Sequence, residues 1–379
     1  MYSFPILPGA TLGILGGGQL GKMFCSAAQS MGYRIWVLDP DSNCPAATIA
    51  DRYICAKFDD ITALELLAAH CAAVTTEFEN IPADSLLYLS TTLPVSPSAE
   101  SVSITQYRWG EKSFLRQHNF PTTSFWKIQT IEELSNIPSD AFPGILKVSR
   151  FGYDGKGQIP VSNASELEQA WNNLEHVECI LEKKLKLDLE ISVMVARSHT
   201  HTAITWPAAE NHHKNGILET SIVPARIPES LANEARDLAL KIANTLNYSG
   251  ILGVEFFISE HQIYINELAP RPHNSGHYTI EASVTSQFEQ QVRVLCGLPL
   301  GNTDLLCPVV MLNILGDAWV SSTPNWEAIL TKPGTKLHLY GKNEPRPKRK
   351  MGHITCLNPK LENAIEYIAD CCRYLSQEK

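Results

Sequence analysis

The sequence predicts an α/β protein of two or three domains, the first built on a doubly wound parallel sheet. Its 379 residues exceed what one compact core usually holds. Near the N-terminus, a strand at Thr11–Leu15 runs through the glycine-rich residues 16–21 into a helical segment, which is how a doubly wound unit begins. Farther along, two apolar runs at residues 253–258 and 263–269 predict an antiparallel hairpin.

The composition is that of an ordinary globular protein, with 44% hydrophobic and 19% charged residues. No apolar segment approaches the roughly 20 residues that span a bilayer, so no membrane association is expected. The net charge of −9 argues against nucleic acid as a partner, because phosphate backbones select clustered Lys and Arg. Ten cysteines without paired Cys-x-x-Cys spacing, and no basic leader before an apolar core, predict a cytoplasmic protein with reduced thiols.

The first domain is expected at residues 1–100. A strand at residues 72–76 is followed by Glu77 and Glu79, and ligands of open α/β sheets lie at such strand ends, so both acids are candidates for substrate contact. Asp39 follows the second strand, as the ribose-binding acid does in a dinucleotide-binding unit. A NAD-dependent oxidoreductase therefore stays open at this point.

A central lobe is expected at residues 101–185. Lys147 lies inside an apolar strand, and a lysine facing inward from a strand needs an anionic partner. Residues 152–158 contain three glycines and Lys156, and such a loop can cover phosphates with backbone N–H donors. The loop lacks the Gly-Lys-Ser/Thr ending of a P-loop. Taken alone, it is also compatible with a simple hairpin turn.

The remaining residues, 186–379, are expected to form a third unit that contains the hairpin. Each hairpin strand carries one acid among apolar neighbours, Glu255 and Glu267. Two neighbouring carboxylates repel each other and are costly to bury unless a cation neutralises them. With the carbonyl oxygen of Asn266 they form an all-oxygen ligand set, which suits Mg²⁺ bridging nucleotide phosphates. The alternative is a hairpin with solvent-facing acids. Residues 209–218 are predicted to be a polar loop closing one side of the site.

Taken in order, the strand lysine, the glycine loop, an acid-bearing strand and the two-carboxylate hairpin resemble the ATP-grasp family. Five stretches are similar to the members of that family that carboxylate 5-aminoimidazole ribonucleotide in purine biosynthesis: residues 16–21, 77–80, 152–157, 266–277 and 349–353. The resemblance implies an ATP-grasp fold with an N-terminal, Rossmann-like pre-ATP-grasp domain and a small C-terminal β-rich portion. It also implies a homodimer.

The implied reaction uses ATP to convert bicarbonate to carboxyphosphate and carboxylates the exocyclic amine of 5-aminoimidazole ribonucleotide, giving ADP and phosphate. The implied cofactor besides ATP is Mg²⁺, with Mn²⁺ as a substitute. Another ATP-grasp ligase acting on a small molecule, such as biotin carboxylase, is the alternative, and the stretches at residues 77–80 and 349–353 count against it. An inactive nucleotide-binding regulator is disfavoured because every expected charged position is filled.

Carried over residue by residue, the resemblance gives four groups of site residues. The ATP contacts would be Arg108, Lys147, Gly152, Tyr153, Asp154, Gly155, Lys156, Gly157, Gln158, Glu182, Lys183, Lys184, Leu185, Glu190, His213, Asn266 and Glu267. The metal ligands would be Glu255 and Glu267. The catalytic residues would be Arg271, His273, Lys350 and Asp154, and the substrate contacts would be Gln19, Leu20, Glu77, Tyr153, Asn274 and Arg349. Lys22 and Lys348 depart from the family pattern, which commonly has arginine and glycine there.

Overall fold

The computed structural model describes residues 4–150, 152, 157–320 and 322–376, and these residues form three sheets with flanking helices. The mixed α/β class, with a doubly wound first unit and a β-rich C-terminal portion, is confirmed. None of the helices in these ranges is both long and apolar enough to cross a membrane.

The N-terminal unit consists of β1 (Thr11–Leu15), α1 (Gln19–Ser30), β2 (Arg34–Leu38), β3 (Arg52–Ile54), α2 (Ile61–His70), β4 (Ala73–Thr76), α3 (Ala83–Ser90), β5 (Val95–Ser96) and α4 (Ala99–Thr105). Its strands are parallel, in the order β3-β2-β1-β4-β5. The direction of winding therefore reverses between β1 and β4. The carboxyl ends of these two strands border the crevice in which doubly wound sheets bind ligands.

The central lobe consists of α5 (Arg108–Gln117), β6 (Phe125–Ile128), α6 (Ile131–Ser135), β7 (Gly144–Val148), β8 (Gln158–Val161), α7 (Ala164–Asn173) and β9 (Cys179–Lys183). Its antiparallel sheet has the order β6-β9-β7-β8. In the register of β7 and β9, Lys147 lies opposite Ile180 while Glu182 lies opposite Ile145. Because side chains alternate along a strand, Lys147 and Glu182 are diagonal neighbours on one face.

The C-terminal unit consists of β10 (Leu189–Arg197), β11 (Ala203–Thr205), β12 (Ala209–Lys214), β13 (Ile217–Val223), α8 (Glu229–Thr245), β14 (Gly250–Ser259), β15 (Gln262–Ala269), α9 (Thr279–Ala282), α10 (Gln287–Leu295), β16 (Val309–Leu315), α11 (Trp326–Leu330), β17 (Thr335–Leu339), β18 (Lys350–Leu357) and α12 (Leu361–Ser376). One sheet has the order β15-β14-β10-β12-β13-β16-β18-β17, with β11 beside β10. The β-rich end of the chain thus continues the sheet that begins with the acidic hairpin.

The predicted hairpin is confirmed as β14 and β15, and its turn is tighter than the four-residue break expected from the sequence. Glu260 and His261 form the turn, with φ of +51° and +62°. The prediction of a polar loop at residues 209–218 is wrong, because β12 and β13 form a second hairpin there. The segment is polar because part of it faces a network of buried polar side chains, in which Asn211 donates to Ser192 Oγ at 2.9 Å.

The N-terminal unit is joined to the C-terminal unit through α1 and α10. Phe288, Val292 and Leu295 of α10 belong to the same buried cluster as Leu20 and Phe24 of α1. Full burial of one large apolar side chain stabilises a fold by roughly 1.5–3 kcal/mol. The shared core therefore fixes the two units against each other. The crevice at the ends of β1 and β4 is consequently held next to the segment that follows β15.

Candidate active site

The glycine-rich turn after β1 is bound by the protein's own carboxylates. Glu77 accepts hydrogen bonds from the backbone N–H groups of Gly18 and Leu20, the latter at 3.1 Å, and Asp39 Oδ2 accepts from the Gly17 N–H at 2.7 Å. Burial raises the pKa of both carboxyl groups. Gly16 has φ of +103°, and a Cβ there would lie 2.6 Å from Glu77 Cβ. The turn therefore serves close packing of Glu77, and its engaged donors count against a dinucleotide pyrophosphate site.

Glu79, also just beyond β4, forms an ion pair with Arg271, which follows β15. Arg271 donates from Nε to Glu79 Oε2, and both side chains are mostly buried. Burial lowers the pKa of the guanidinium and raises that of the carboxyl, but the charge of each partner outweighs these effects. The pKa of Arg271 is raised and that of Glu79 is lowered. The N-terminal crevice and the end of the acidic hairpin are thus parts of one site.

Glu255 and Glu267 lie directly opposite each other on β14 and β15. The next pair is Phe256 with Ile265, so Asn266 is an extra residue that forms a β-bulge. A bulge redirects side chains next to it and is common beside active sites. Here it places the side chains of Asn266 and Glu267 near the same Glu255, and Asn266 Nδ2 donates to Glu255 Oε2 at 3.4 Å.

His273 completes the environment of Glu255. Its Nε2 lies 3.1 Å from Glu255 Oε1, and its Nδ1 lies 2.8 Å from the Ser275 hydroxyl. Burial raises the pKa of Glu255, but the contact with His273, the charge of His213 and the Asn266 hydrogen bond outweigh it and lower that pKa to about 2. Glu255 is therefore ionised at neutral pH and available as a ligand.

The hairpin oxygens fit a hard divalent cation. Among the described residues, the buried Asn266 Oδ1 has no hydrogen-bond partner, which leaves it free to bind a cation. Within the same part of the chain, no cluster of three or more His, Cys, Asp and Glu side chains is placed to hold a metal by protein ligands alone. Mg²⁺ is commonly held by one or two carboxylates together with substrate phosphates. The donor set therefore suits a metal that arrives with a nucleotide.

Lys147 finds its anionic partner in Glu182. Lys147 Nζ lies 3.1 Å from Glu182 Oε2, and Lys112 Nζ lies 3.4 Å from the same oxygen. Burial raises the pKa of Glu182, but Lys112, Lys147 and Arg108 outweigh it and lower the pKa to about 2. Glu182 Oε1 is buried without a partner among the described residues. Two cations and one anion leave this face of the central sheet net positive, as a phosphate site requires.

Helix α5 brings a second set of charges to the hairpin. Arg108 Nη1 lies 3.5 Å from Glu267 Oε2, and burial lowers the pKa of Arg108 less than Glu267, Glu182 and Glu111 raise it. Glu111 accepts a hydrogen bond from the Leu268 N–H at 3.1 Å. Burial dominates the environment of Glu111 and raises its pKa to about 8, against the lowering effect of Lys112 and Arg108.

Glu190 and His213 face each other across β10 and β12, as expected for a shared contact. His213 Nδ1 lies 3.1 Å from Glu190 Oε2. Burial lowers the pKa of His213, but Glu190, Glu255 and Glu267 raise it further than burial lowers it. The charges of both hairpin acids thus act on His213.

The basic cluster near the C-terminus lies beside the N-terminal crevice. Lys22 of α1 donates to the Tyr340 carbonyl oxygen at 3.1 Å, and Lys342 donates to the Lys350 carbonyl oxygen at 2.8 Å. Lys350 begins β18, and its charge is one of the neighbours that, after burial, hold the pKa of His277 well below its ordinary value. Lys350 therefore lies close to the segment that follows β15.

Two of the expected substrate contacts, Arg349 and Asn274, form hydrogen bonds within the protein. Arg349 donates from Nη1 to the Glu344 carbonyl oxygen at 3.0 Å. Asn274 is buried and exchanges two hydrogen bonds with Asn313, at 2.9 and 2.7 Å. The amide of Asn274 is thus committed to β16, which favours a role in holding the segment after β15 in place. Gln19 and Leu20 begin α1 at the crevice.

The C-terminal end of the glycine loop lies beside Lys147. Gly157 has φ of +70°, and a Cβ there would lie 2.6 Å from Val148. Gln158 begins β8 opposite Lys147. The predicted roles of Tyr153, Asp154, Gly155 and Lys156 fall outside the described residues.

Ion pairs and hydrogen bonds place several of the residues selected from the sequence on β7, β9 and the acidic hairpin and beside them. Lys183 ends β9, and Lys184 and Leu185 follow it. Glu111 and Lys112 were not predicted from the sequence, and Glu79 was predicted as a candidate for substrate contact without its ion pair with Arg271. The one feature of the sequence that could have indicated Glu111 and Lys112 is the mixture of charged and apolar residues at i, i+3 and i+4 spacing along α5. The same pattern also fits a helix with a solvated charged face.

Three family models match the chain, and the second of them spans the central lobe and the first part of the C-terminal unit. A ribonucleotide synthetase preATP-grasp domain matches residues 9–106, an ATP-grasp domain matches residues 113–288, and a phosphoribosylaminoimidazole carboxylase C-terminal domain matches residues 309–367. Among curated proteins, the N5-carboxyaminoimidazole ribonucleotide synthase of Bacillus subtilis is 43% identical over 367 residues, 96% of each chain. That of Brucella melitensis is 42% identical over 93% of this chain and 98% of its own.

Solved structures give the same result. An ADP complex of an N5-carboxyaminoimidazole ribonucleotide synthetase superposes with a TM-score of 0.92 at 44% identity and covers 100% of both chains. The Staphylococcus aureus synthetase with ADP has a TM-score of 0.92 at 38% identity, covering 98% of this chain and 99% of its own. An Aspergillus clavatus synthase in complex with ADP and 5-aminoimidazole ribonucleotide has a TM-score of 0.89 at 29% identity, covering 97% and 99%.

Proposed function

Because this chain belongs to the N5-carboxyaminoimidazole ribonucleotide synthases, which are ATP-dependent ligases of purine biosynthesis, we propose a role for each of its site residues in that reaction. The reaction carboxylates 5-aminoimidazole ribonucleotide with ATP and bicarbonate. The observation that carries the proposal is the acidic hairpin. Glu255 and Glu267 face each other across a bulge, within reach of Arg108 on one side and His273 on the other. This arrangement supports phosphoryl transfer from a metal-bound nucleotide.

ATP lies between the central lobe and the acidic hairpin in this proposal. Lys147 and Arg108 offset the phosphate charge, and residues 152–158 cover the phosphates. The adenine lies against residues 182–185, where Glu182 Oε1 is a buried acceptor with no partner among the described residues. Glu190 and His213, 3.1 Å apart, accept and donate hydrogen bonds at the ribose hydroxyls.

Glu255 and Glu267 would hold Mg²⁺, with Asn266 beside them, and Mn²⁺ is the expected substitute. When bound, the ion supplies charge neutralisation to the transferring phosphoryl group. The remaining work falls to the side chains. Arg108 Nη1 lies 3.5 Å from Glu267 Oε2, where its guanidinium would stabilise the negative charge that develops between the β- and γ-phosphates. Placing donors where charge develops is the main source of rate in phosphoryl transfer.

Bicarbonate is a poor electrophile, so its activation must come first. In the proposal a bicarbonate oxygen attacks the γ-phosphorus, ADP leaves, and carboxyphosphate forms. Arg271 orients the bicarbonate, supported by its ion pair with Glu79, and His273 lies next to it against Glu255. The exocyclic amine then attacks the carboxyl carbon directly, or attacks carbon dioxide released in the closed site. Phosphate leaves with the amine proton, and the product is a carbamate.

The ribonucleotide lies in the crevice at the ends of β1 and β4, near Gln19, Leu20 and Glu77. The backbone donors of the turn already bind Glu77, so basic side chains would neutralise the phosphate of the ribonucleotide. In the proposal Lys22 of α1 and Arg349 of the basic cluster bind the ribonucleotide phosphate, and Lys350 stabilises the new carboxylate. Tyr153 and Asp154 contact the imidazole in the proposal.

A cytoplasmic homodimer completes the proposal. Its state of association is measured by light scattering on the purified full-length chain. A mass of about twice the 42.0 kDa of one chain is the expected result, and a mass of 42.0 kDa would contradict it.

Labelled bicarbonate tests the proposed reaction. Purified protein is incubated with ATP, Mg²⁺, ¹⁴C-bicarbonate and 5-aminoimidazole ribonucleotide, and the acid-labile label bound to the ribonucleotide is counted. We expect label in the ribonucleotide in proportion to the ADP formed. ADP formation without label in the ribonucleotide would assign a different acceptor to the same ATP site.

A further inference from the structure

Strand β15, which carries Asn266 and Glu267, is an edge strand of the large sheet. The outward backbone groups of a buried edge strand need partners from elsewhere. The segment before β6 supplies one, because the Ile265 N–H donates to the Pro121 carbonyl oxygen at 2.8 Å. Helix α5 supplies the others, through two adjacent side chains that no step of the proposed reaction uses.

These two side chains are Glu111 and Lys112. Glu111 accepts from the Leu268 N–H at 3.1 Å, and Lys112 Nζ donates to the Asn266 carbonyl oxygen at 2.7 Å. Arg108, three and four residues earlier, lies on the same helix face and contacts Glu267. One face of α5 therefore contacts β15 from Asn266 to Leu268, on both sides of the residue expected to bind metal.

The Lys112 contact falls on the bulge itself. The extra residue of a bulge is left without its ladder partner, and here that residue is Asn266. Lys112 Nζ also lies 3.3 Å from the Ile265 carbonyl oxygen and 3.0 Å from Thr122 Oγ1, and its side chain is fully buried. A buried ammonium thus stabilises the one backbone carbonyl that the bulge displaces.

Lys112 also contacts the sheet of its own lobe, where its Nζ lies 3.4 Å from Glu182 Oε2 on β9. Neutralising Glu182 does not account for Lys112, because Lys147 is closer to the same oxygen at 3.1 Å. The shortest contact of Lys112 is with Asn266, at 2.7 Å. Lys112 therefore links β9, which carries Glu182, to β15, which carries Asn266 and Glu267.

We propose that Lys112 is a positioning residue that holds the Asn266 bulge in the conformation needed for binding a divalent cation together with nucleotide. The inference rests on the proposed metal role of Glu255 and Glu267. Lys112 touches neither the nucleotide nor the cation in this account. It acts by fixing the backbone of Asn266, so that the side chains of Asn266 and Glu267 point toward Glu255.

The test is calorimetric titration of the full-length protein with ADP, once with Mg²⁺ and once with EDTA. Lys112→Met keeps the length of the side chain and removes its donors. We expect the gain in ADP affinity from Mg²⁺ to fall by about tenfold or more, the size typical of losing a group that orients a metal ligand, while metal-free binding changes by less than about threefold. Lys127→Met, at a half-exposed lysine on β6, is the matched control and should behave as wild type.

Two results would overturn the proposal. An unchanged gain from Mg²⁺ in Lys112→Met would show that the bulge does not need the lysine. Equal losses with and without Mg²⁺ would show a general structural role. If Lys112→Met does not fold, Thr122→Val replaces it, since it removes one hydroxyl that contacts both Lys112 Nζ and the Ile265 carbonyl oxygen and leaves the Glu182 ion pair intact. We expect a loss of about threefold in the gain from Mg²⁺, and no loss would overturn the proposal.

Glu267→Gln in the same titration separates this inference from the proposed function. If Glu267→Gln removes the gain from Mg²⁺ and Lys112→Met does not, the metal site stands and only the role of Lys112 fails. If Glu267→Gln leaves the gain intact, the proposed metal site fails and the role of Lys112 fails with it.

Discussion

Arg271 and Glu79 form an ion pair that joins the end of β15 to the carboxyl end of β4. The two residues are separated by 192 positions in the sequence. The pair joins the segment after the acidic hairpin to the crevice at the ends of β1 and β4. Because Arg271 lies two residues beyond β15, the ion pair also fixes the direction in which the chain leaves that strand.

Glu79→Gln should slow carboxylation by leaving Arg271 without its charged partner. A hydrogen bond to a charged group contributes about 1.5–3 kcal/mol, so we expect kcat to fall by about 10- to 100-fold. KM for ATP should stay near the wild-type value, because Arg271 orients bicarbonate and does not bind ATP in the proposed mechanism. The measurement is steady-state ADP release at saturating ribonucleotide. Glu65→Gln, an exposed acid on α2, is the control, and equal rates for the two variants would contradict the role of the pair.

Glu267→Gln should abolish turnover and leave the fold intact. The variant keeps the size of the side chain but loses the charge that a divalent cation requires, so we expect kcat to fall by more than about 100-fold. Glu260→Gln is the control. It changes an acid in the turn of the same hairpin, where φ is +51°, and should be fully active because the turn lies outside the site. Activity of Glu267→Gln near that of Glu260→Gln would remove Glu267 from the metal site.

Lys350→Ala should impair carboxylation while sparing nucleotide binding. Lys350 lies at the start of β18 and is assigned in the proposed mechanism to the new carboxylate and not to the ATP phosphates, so its loss should affect the carboxylation step. Removing one donor to a developing anion costs about 10²- to 10³-fold in kcat. The binding readout is ADP affinity with Mg²⁺, which should be unchanged. Lys336→Ala on the neighbouring β17 serves as the control, and an unchanged rate in Lys350→Ala would return the basic cluster to a solvated surface.

Glu111 should make the protein less stable as the pH rises. Burial raises its pKa in the folded state to about 8, from an ordinary value of 4.5, so the folded state holds a proton that the unfolded state has released between these pH values. The free energy of unfolding contributed by this group therefore falls between pH 4.5 and 8. Glu111→Gln should flatten this slope and be more stable than wild type at pH 9, as measured by urea unfolding. The exposed Glu234→Gln should keep the wild-type slope, and parallel curves for wild type and Glu111→Gln would contradict the shifted pKa.

The sequence was sufficient to predict the acidic hairpin and the strand lysine. In both cases a charged residue interrupts a short apolar run, and a charge on a buried strand requires a partner or a ligand. Glu255, Glu267 and Lys147 stood out for this reason. The sequence placed Glu255 and Glu267 on adjacent strands, but a regular register from the turn would pair Glu255 with Asn266, and only the bulge brings Glu267 opposite Glu255.

The bulge at Asn266 and the contacts of α5 could not be predicted in the same way. Asn266 and Glu267 are adjacent polar residues in an otherwise apolar run, and this pattern does not by itself distinguish a bulged strand from a regular one. Glu111 and Lys112 lie on a helix, where adjacent charges are usually solvated, and their partners on β15 are more than 150 positions away. Long-range burial, which only the fold reveals, turns these side chains into part of the site.

The prediction for residues 209–218 failed for a related reason. Polar residues between apolar strands usually indicate a loop, but β12 is an internal strand with a polar face. Asn211 bonds to Ser192 and Ser221 within the sheet, and His213 faces Glu190. A strand lining a binding cavity can be polar because its side chains satisfy each other and the ligand.

The most direct test is ADP release by the purified protein with Mg²⁺ and ATP, measured with and without bicarbonate and 5-aminoimidazole ribonucleotide. We expect rapid ADP release only when bicarbonate and the ribonucleotide are both present, since carboxylation consumes both. ADP release that does not respond to the ribonucleotide, but responds to another amine or carboxylate, would contradict the assignment of the substrate and leave the ATP site standing.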